Sequence, residues 1–435
     1  MTTFIHDVLK DLQNNKQNLS DLTFVLPSKR AGLFLKHHLS KVVNKTIFAP
    51  QILSIEEFVQ ELSQLKSISN TELLFEFYST YSQLTKKESL DSFESFSKWA
   101  QLLLQDFNEI DRYLIPQEHV FNYLSAIQDL KHWSLEENKT DFVKNYLSFW
   151  YKLHDYYTHF TDSLLNNKVG YQGLIYREAV ENLEAYIQNN PEKKHVFVGF
   201  NALNTSEETI IQELLQKDLA KIYWDVDTVF MNNQKHDAAL FTRQHKKNWK
   251  FFKNNSFNWI TENYSKDKNI SAIGIPKNIG QAKYIGSLLS ELQKENNLLN
   301  STAVVLGDEN LLIPVLNSIP SNIHALNVTM GLPLKSIPLA SLFNALFQLH
   351  KNNSNSFYYK DVVNIISHQF IRSLFFIEGI DYSLKIIETI DNNNLVFLNK
   401  DRLIKIAEKS IIITDLLFSS WGNSIVLALD NCSKL

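Results

Sequence analysis

The sequence predicts an α/β protein built from two parallel-sheet cores, each carrying a helical insertion, with the second core incomplete. Three observations carry this reading. Strand and helix patterns alternate over residues 1–69. From residue 70 to about 190 the pattern is helical alone, with apolar and aromatic residues recurring at three and four positions. The alternation then resumes, and begins again near residue 270. At 435 residues the chain exceeds the usual size of a single core, so more than one domain is expected.

Taken in order, residues 1–19 read as a helix with Phe4, Ile5, Val8, Leu9 and Leu12 on one face. Thr23 to Leu39, TFVLPSKRAGLFLKHHL, reads as strand, tight loop and helix, because a β-branched and aromatic run gives way at Pro27 to apolar positions three and four apart. A helix over Leu33–Val43 leads to a second extended run, TIFAPQILSIEEF, in which Ser54 and Glu57 have the spacing of a capping box. After the helical insertion, HVFVGF (His195–Phe200) is a strand, Thr205 with Glu208 has capping-box spacing, and AKIYWDV (Ala220–Val226) is the next strand. A basic helix over Lys235–Lys253 precedes a boundary near Ser265–Asn269. The second unit is expected to run strand Ile270–Ile275, helix Gly280–Leu298, strand Thr302–Leu306, helix Leu311–Ile319, the phrase NVTMGLPL and helix Pro338–His350, with helical sequence from Ser356 onward. The expected division is therefore 1–69 and 191–265 for the first core, 70–190 for its insertion, 266–350 for the start of the second core and 351–435 for a truncated second insertion. No strand returns to finish the second sheet, so a longer protein is expected.

Composition narrows the function classes. With 43 Lys and Arg against 47 Asp and Glu there is no global basic field, so any nucleic-acid contact must be local. Only 11 Gly and 9 Pro disfavour a turn-rich all-β chain. The single cysteine, Cys432, rules out an internal disulfide and fits a reducing cytoplasm. The N-terminus has acidic residues and no long apolar core, unlike a secretory signal. The apolar run Ile411–Leu429 contains Asp415, Asn423 and serines, so it reads as a buried helix or strand and no membrane contact is expected. A soluble, cytoplasmic protein is expected.

Enzyme chemistry finds little support. A working phosphate loop needs glycines to wrap the phosphates, a lysine for the β/γ oxygens and a hydroxyl for Mg²⁺. After the Thr23 strand the turn is instead Pro27, Ser28, Lys29 and Arg30, with Gly32 nearby. Ser28, Lys29 and Arg30 could still hold an anion at a helix N-terminus, or could be a structural turn with solvated cations. Asp225 and Asp227 alternate on a strand and could share a metal, or could cap nearby loops. No HExxH or GxSxG occurs, and adjacent His37 and His38 point in different directions on a helix. Asp129-Leu-Lys131 and Glu192-Lys-Lys194 match a nuclease triplet but lack its strand context. No metal and no cofactor is expected in this chain.

The most DNA-like stretch is KHDAALFTRQHKKNWKFFK, Lys235 to Lys253, with Arg243, Lys246, Lys247 and Lys250 interleaved with aromatics that include Trp249. These cations could neutralise phosphates while an aromatic stacks on a base. The alternative is an amphipathic helix with its aromatics in the core and its lysines in water. Trp99, Trp133, Trp150, Tyr151, Tyr156 and Tyr157 fall at helical spacing and read first as core of the insertion, with DNA stacking as the alternative.

Several phrases, in this order, sharpen the reading: FVLPSKRAGLFLKHHL, LLQDFNEIDRYL, GYQGLIYREAVE, VFVGFNALNTSEETII, IGQAKYIGSLL, TAVVLGDENLLIPVLNSIP and LNVTMGLPL. Together they resemble the helicase-like part of AddB-type helicase-nuclease subunits, inactivated superfamily 1 helicases with a C-terminal PD-(D/E)xK nuclease. The resemblance implies two RecA-like (P-loop NTPase-like) cores in a superfamily 1 layout. It also implies DNA double-strand-break processing and recombinational repair, DNA as single strand or duplex end, and an active motor partner of the AddA type. Related chains end an apolar strand in Asp-Gly-Phe; here the matching phrase is VFVGF, with Val198 where the Mg²⁺-binding acid would stand. The chain is thus expected to be a non-catalytic scaffold, with nuclease activity in a domain beyond Leu435. Two alternatives stand beside it: an active ATP-dependent helicase with a divergent phosphate loop, and a protein-interaction scaffold without DNA binding.

Overall fold

The structure is a computed structural model that describes residues 3–43, 46–131, 141–257, 259–295, 299–351 and 356–419. The chain divides into two units, Met1–Ile270 and Ser271–Leu435. In the first, the strands are β1 (Leu22–Leu26), β2 (Gln51–Ser54), β3 (Lys66–Ser67), β4 (Val169–Gly170), β5 (Lys194–Val198) and β6 (Ala220–Tyr223). Four of them form one parallel sheet in the order β2-β1-β5-β6, with Val25 opposite both Leu53 and Phe197. β3 and β4 make a separate two-residue parallel ladder.

All five residues of β1 are buried, as expected of a parallel strand covered on both faces. Alternation sends them to two cores. Phe24 and Leu26 join Val196, Val198 and Tyr223 against α1 (Phe4–Asn14) and α2 (Lys29–Val42), through Val8, Leu9, Leu12, Leu35 and Leu39. Val25 and Phe197 face the opposite side, onto Phe58 of α3 (Ile55–Ser63) and the helices beyond it.

Between β2 and β5 the chain is almost wholly helical: α4 (Asn70–Leu84), α5 (Phe93–Arg112), α6 (Gln117–Lys131), α7 (Asp141–Asn166), α8 (Gln172–Glu181) and α9 (Leu183–Asn189). These helices are inserted between strands of one sheet, since β1 lies beside both β2 and β5. Their interior is aromatic, with Phe77, Phe96, Phe107, Phe160, Tyr156 and Tyr157 buried. Tyr151 is 53% exposed. Trp133 lies outside the described residues. α10 (Thr205–Gln216) follows β5, and after β6 come α11 (Thr228–Asn232) and α12 (Leu240–Asn248).

The expected cap of α3 forms: Glu57 N donates to Ser54 Oγ at 3.3 Å and Ser54 N to Glu57 Oε2 at 2.9 Å. At α10 the cap is Asn204 with Glu207, one residue earlier than the Thr205–Glu208 pair expected from spacing. Tertiary partners choose between the two glutamates. Glu207 accepts the buried Tyr176 hydroxyl at 3.0 Å, whereas Glu208 pairs with His245. The basic stretch is not one helix either. A 3-10 turn at Asp237–Ala239 leads into α12, and the helix stops where Trp249 turns extended and enters the core.

The second unit departs most from expectation. Helices form at Asn278–Glu295, Leu312–Leu316 and Pro338–His350. The runs expected as strands, Ile270–Ile275 and Thr302–Leu306, take no partner among the described residues. They face solvent instead, with Ile270 84% and Val305 89% exposed. A second parallel core is therefore not formed by these residues. The ladders present in this unit are short and antiparallel: Ser356–Tyr358 with Phe397–Asn399, and Phe376–Ile377 with Ile380–Asp381. Its main core is helical, around Leu346, Val362, Ile365, Phe375, Ile386 and Leu403. Of the late apolar run, Ile411–Phe418 is a helix with Leu417 and Phe418 buried; residues 420–429 and Cys432 lie outside the described residues. Among the described residues no helix is long and apolar enough to cross a membrane.

Candidate functional site

In a doubly wound sheet, ligands bind where the chain reverses its direction of strand addition, at the carboxyl ends of the strands. Here that point lies between β1 and β5, because the connection from β1 runs outward to β2 and that from β5 outward to β6. The turn of Pro27, Ser28, Lys29 and Arg30 leaves β1, and Gly199, Phe200 and Asn201 leave β5.

Each group expected to touch phosphate is placed by this turn. Ser28 is the N-cap of α2, its Oγ accepting from Ala31 N at 3.3 Å, so the hydroxyl completes the helix end. Lys29 Nζ lies 3.0 Å from Glu57 Oε1 on α3. The ammonium is thus paired with a carboxylate on the neighbouring helix. The N–H of Ser54, with Lys29 and the Ser54 hydroxyl, holds the Glu57 carboxyl below its usual range despite partial burial. Arg30 is exposed. On the other strand, Val198 is 1% exposed and offers no ligand atom for a cation. Gly199 adopts φ +76°, and Phe4 Cε1 lies 3.5 Å from where its Cβ would stand. A phosphate cradle would need several backbone N–H groups turned into one concavity. This turn has one proline and one capped helix start.

The basic stretch separates into parts with different fates. Trp249 is 1% exposed, packed at 5.6 Å from Trp224 and 5.8 Å from Phe252. It presents no face to a base, which corrects its assignment as a stacking residue. The Arg243 guanidinium donates to the carbonyls of Phe230 at 2.7 Å and His236 at 2.8 Å, and so holds the α11–α12 connection. Lys246, Lys247 and Lys250 are exposed, with Lys246 Nζ 5.7 Å from the Phe257 ring centre. A groove of about 680 Å³ lies beside them, lined by residues of α11, the connection, α12 and Ile260.

His245, on the same helix, carries no motif and was not legible as a site residue. It is 3% exposed, stacked on Trp224, with Nε2 2.9 Å from Asn201 O and Nδ1 3.3 Å from Glu208 Oε1. It ties α12 to the loop that leaves β5.

Other sequence candidates resolve into structural roles. Asp227 caps α11 through Val229 N at 3.0 Å and accepts from Asn263 N at 2.6 Å and Tyr264 N at 2.9 Å. Burial would raise its carboxyl, but these N–H groups outweigh it and hold the group below the usual range. Asp225 is exposed, and among the described residues no group of three or more His, Cys, Asp or Glu is placed to hold a metal. His37 and His38 lie on α2, His38 Nε2 3.1 Å from Thr3 Oγ1. Lys131 ends a helix, and Glu192 lies in a turn before β5.

The fold and site together define a mixed α/β protein with one four-stranded parallel sheet and a closed turn where a nucleotide loop could stand. No protein-family model matches the chain, and no curated protein matches it.

Proposed function

We propose that this chain is a helicase-like scaffold without nucleotide chemistry, corresponding to the helicase-like region of an AddB-type helicase-nuclease subunit. In this reading it holds DNA, single-stranded or at a duplex end, during double-strand-break processing and recombinational repair, beside an active AddA-type motor. The observation that carries the reading is the turn after β1: Ser28 is spent on capping α2, Lys29 pairs with Glu57, and β5 ends in buried Val198. Hydrolysis needs both a cradle and a Mg²⁺-binding acid, and the parallel sheet supports neither at its switch point. The exposed Lys246, Lys247 and Lys250 are the proposed phosphate contacts.

The test is ATP turnover by the purified chain with and without single-stranded DNA, alongside salt-dependent DNA binding. No turnover with salt-sensitive binding is expected. Turnover that disappears in Lys29→Ala would instead establish an ATPase at this turn and defeat the non-catalytic reading.

A protein-interaction scaffold without DNA binding is the second reading, favoured by exposed apolar side chains of the second unit such as Phe376 at 60% and Phe397 at 63%. Absence of DNA binding at low salt would select it.

A further inference from the structure

Of the cavities and clusters among the described residues, the half-open groove between α11 and α12 combines a concave surface with a one-sided charge. Its lining includes Arg243, Lys246 and Lys247, the side-chain amides of Asn232, Gln234 and Gln244, and the apolar Leu240. Met231, Ile260 and Thr228 complete it, and no carboxylate is among the lining residues. The Arg243 charge is met there by backbone carbonyls of Phe230, Gln234 and His236, which supply dipoles but no compensating negative charge. Three cations thus share one concavity of about 680 Å³, within the range of small-ligand sites.

The chemistry of the lining is graded. At one end of α12, Lys246 and Lys247 stand exposed in its last turn. Lys246 is already steadied over the Phe257 ring, so less side-chain freedom is lost on binding an anion. Towards the start of the helix, Leu240 gives an apolar surface that is 37% exposed, with Gln244 one turn further on. Amides can donate to and accept from the Watson–Crick edge of a base, the edge that a duplex keeps paired and that only a splayed-out, single-stranded base can bring into a concavity. We propose that this groove seats one nucleotide of a single strand, its phosphates at Lys246 and Lys247 and its base against Leu240 within reach of the amides. Arg243 is a positioning residue: its guanidinium fixes the wall from Phe230 to His236. The inference rests on the proposed DNA-holding function and adds which form of nucleic acid is held and where.

The experiment uses the full chain and fluorescence anisotropy of a short labelled oligothymidylate, compared with a duplex of equal length, over a salt series. The single strand is expected to bind more tightly. The double variant Lys246→Gln with Lys247→Gln should weaken it about tenfold or more and flatten the log K against log salt slope by ~0.7 per lysine removed. Gln244→Leu should weaken single-strand binding with the slope unchanged, because it removes a base contact and no charge. Lys217→Gln, at an exposed lysine that caps the end of α10 and is not among the groove's lining residues, serves as the control and should change neither. Circular dichroism and urea midpoints of the variants should match the parent. Binding that is equally tight for duplex, or unaltered in the double variant, overturns the groove assignment while leaving DNA holding intact. Failure of the parent chain to bind either probe at low salt overturns the functional reading itself, and this inference with it.

Discussion

Arg177 on α8 donates through Nε to Asp111 Oδ1 at 2.7 Å, and Asp111, near the end of α5, is fully buried. The same carboxylate accepts the hydroxyl of Tyr157 at 2.5 Å and that of Tyr171, while the guanidinium also reaches the carbonyls of Ile110 at 3.2 Å and Ile115 at 2.9 Å. One ion pair thus joins three helices and the turn after α5. Removing one partner of a buried pair strands the other charge, so Arg177→Met is expected to cost on the order of 3–5 kcal/mol. The double variant Arg177→Met with Asp111→Asn should cost less than the sum of its single changes. Urea denaturation followed by circular dichroism reads both. Additive losses would mean that the two side chains act independently.

His195 makes the fold sensitive to mild acid. It lies on β5 at 1% exposure, with Nε2 2.9 Å from the Tyr186 hydroxyl and Nδ1 3.2 Å from Leu219 O, a pattern that a neutral ring satisfies. Burial pulls its pKa from 6.5 to about 4. Between these values the unfolded chain takes up a proton that the folded chain refuses. Stability contributed by the neutral ring is therefore complete above pH 6.5 and is lost as pH falls toward 4, to a total of ~3 kcal/mol. Denaturation midpoints measured across that window should fall with pH, and His195→Gln should flatten the slope.

Lys29 with Glu57 offers the opposite case. The two side chains are 76% and 38% exposed, so their 3.0 Å contact is worth at most about 1 kcal/mol. Lys29→Met should leave the thermal midpoint within a few degrees of the parent, and added salt should erase the difference. A large loss would show that the cation carries a structural burden the geometry does not reveal.

How much of this was legible in the sequence depends on how local each cause is. The first sheet was readable because β1 and β5 are short apolar runs whose burial on both faces leaves no polar alternation to confuse them. Pro338–His350 was placed to the residue because its proline fixes the first turn. The runs at Ile270–Ile275 and Thr302–Leu306 have the same composition as strands, but a ladder needs a partner that no local pattern supplies. Trp249 misled for a related reason. Periodicity across an unbroken helix would leave the face of its ring undecided, whereas the break after Asn248 turns it inward. The site turn was legible as a lost phosphate loop from its missing glycines, yet the engagement of Lys29 by Glu57 joins residues from two different crossovers and needed the fold.

Gly173 tests how closely the insertion is built. A Cβ there would stand 2.1 Å from Asn108 O, a backbone atom with no rotamer to move, and Gly173 N donates to Asn108 Oδ1 at 2.7 Å. α5 and α8 therefore meet backbone to backbone at this point. In an open helix, alanine in place of glycine would gain up to ~1 kcal/mol. Here the overlap must push the helices apart, so Gly173→Ala is expected to lose about 1–3 kcal/mol or more. Gly32 on α2 is the matched comparison, because its Cβ would meet the movable Ile52 Cγ2 at 3.2 Å. Gly32→Ala should therefore be close to neutral. Equal urea midpoints for the two variants would show that α5 and α8 can separate without cost, and that the Asp111–Arg177 network, with the packing around it, does not depend on this contact.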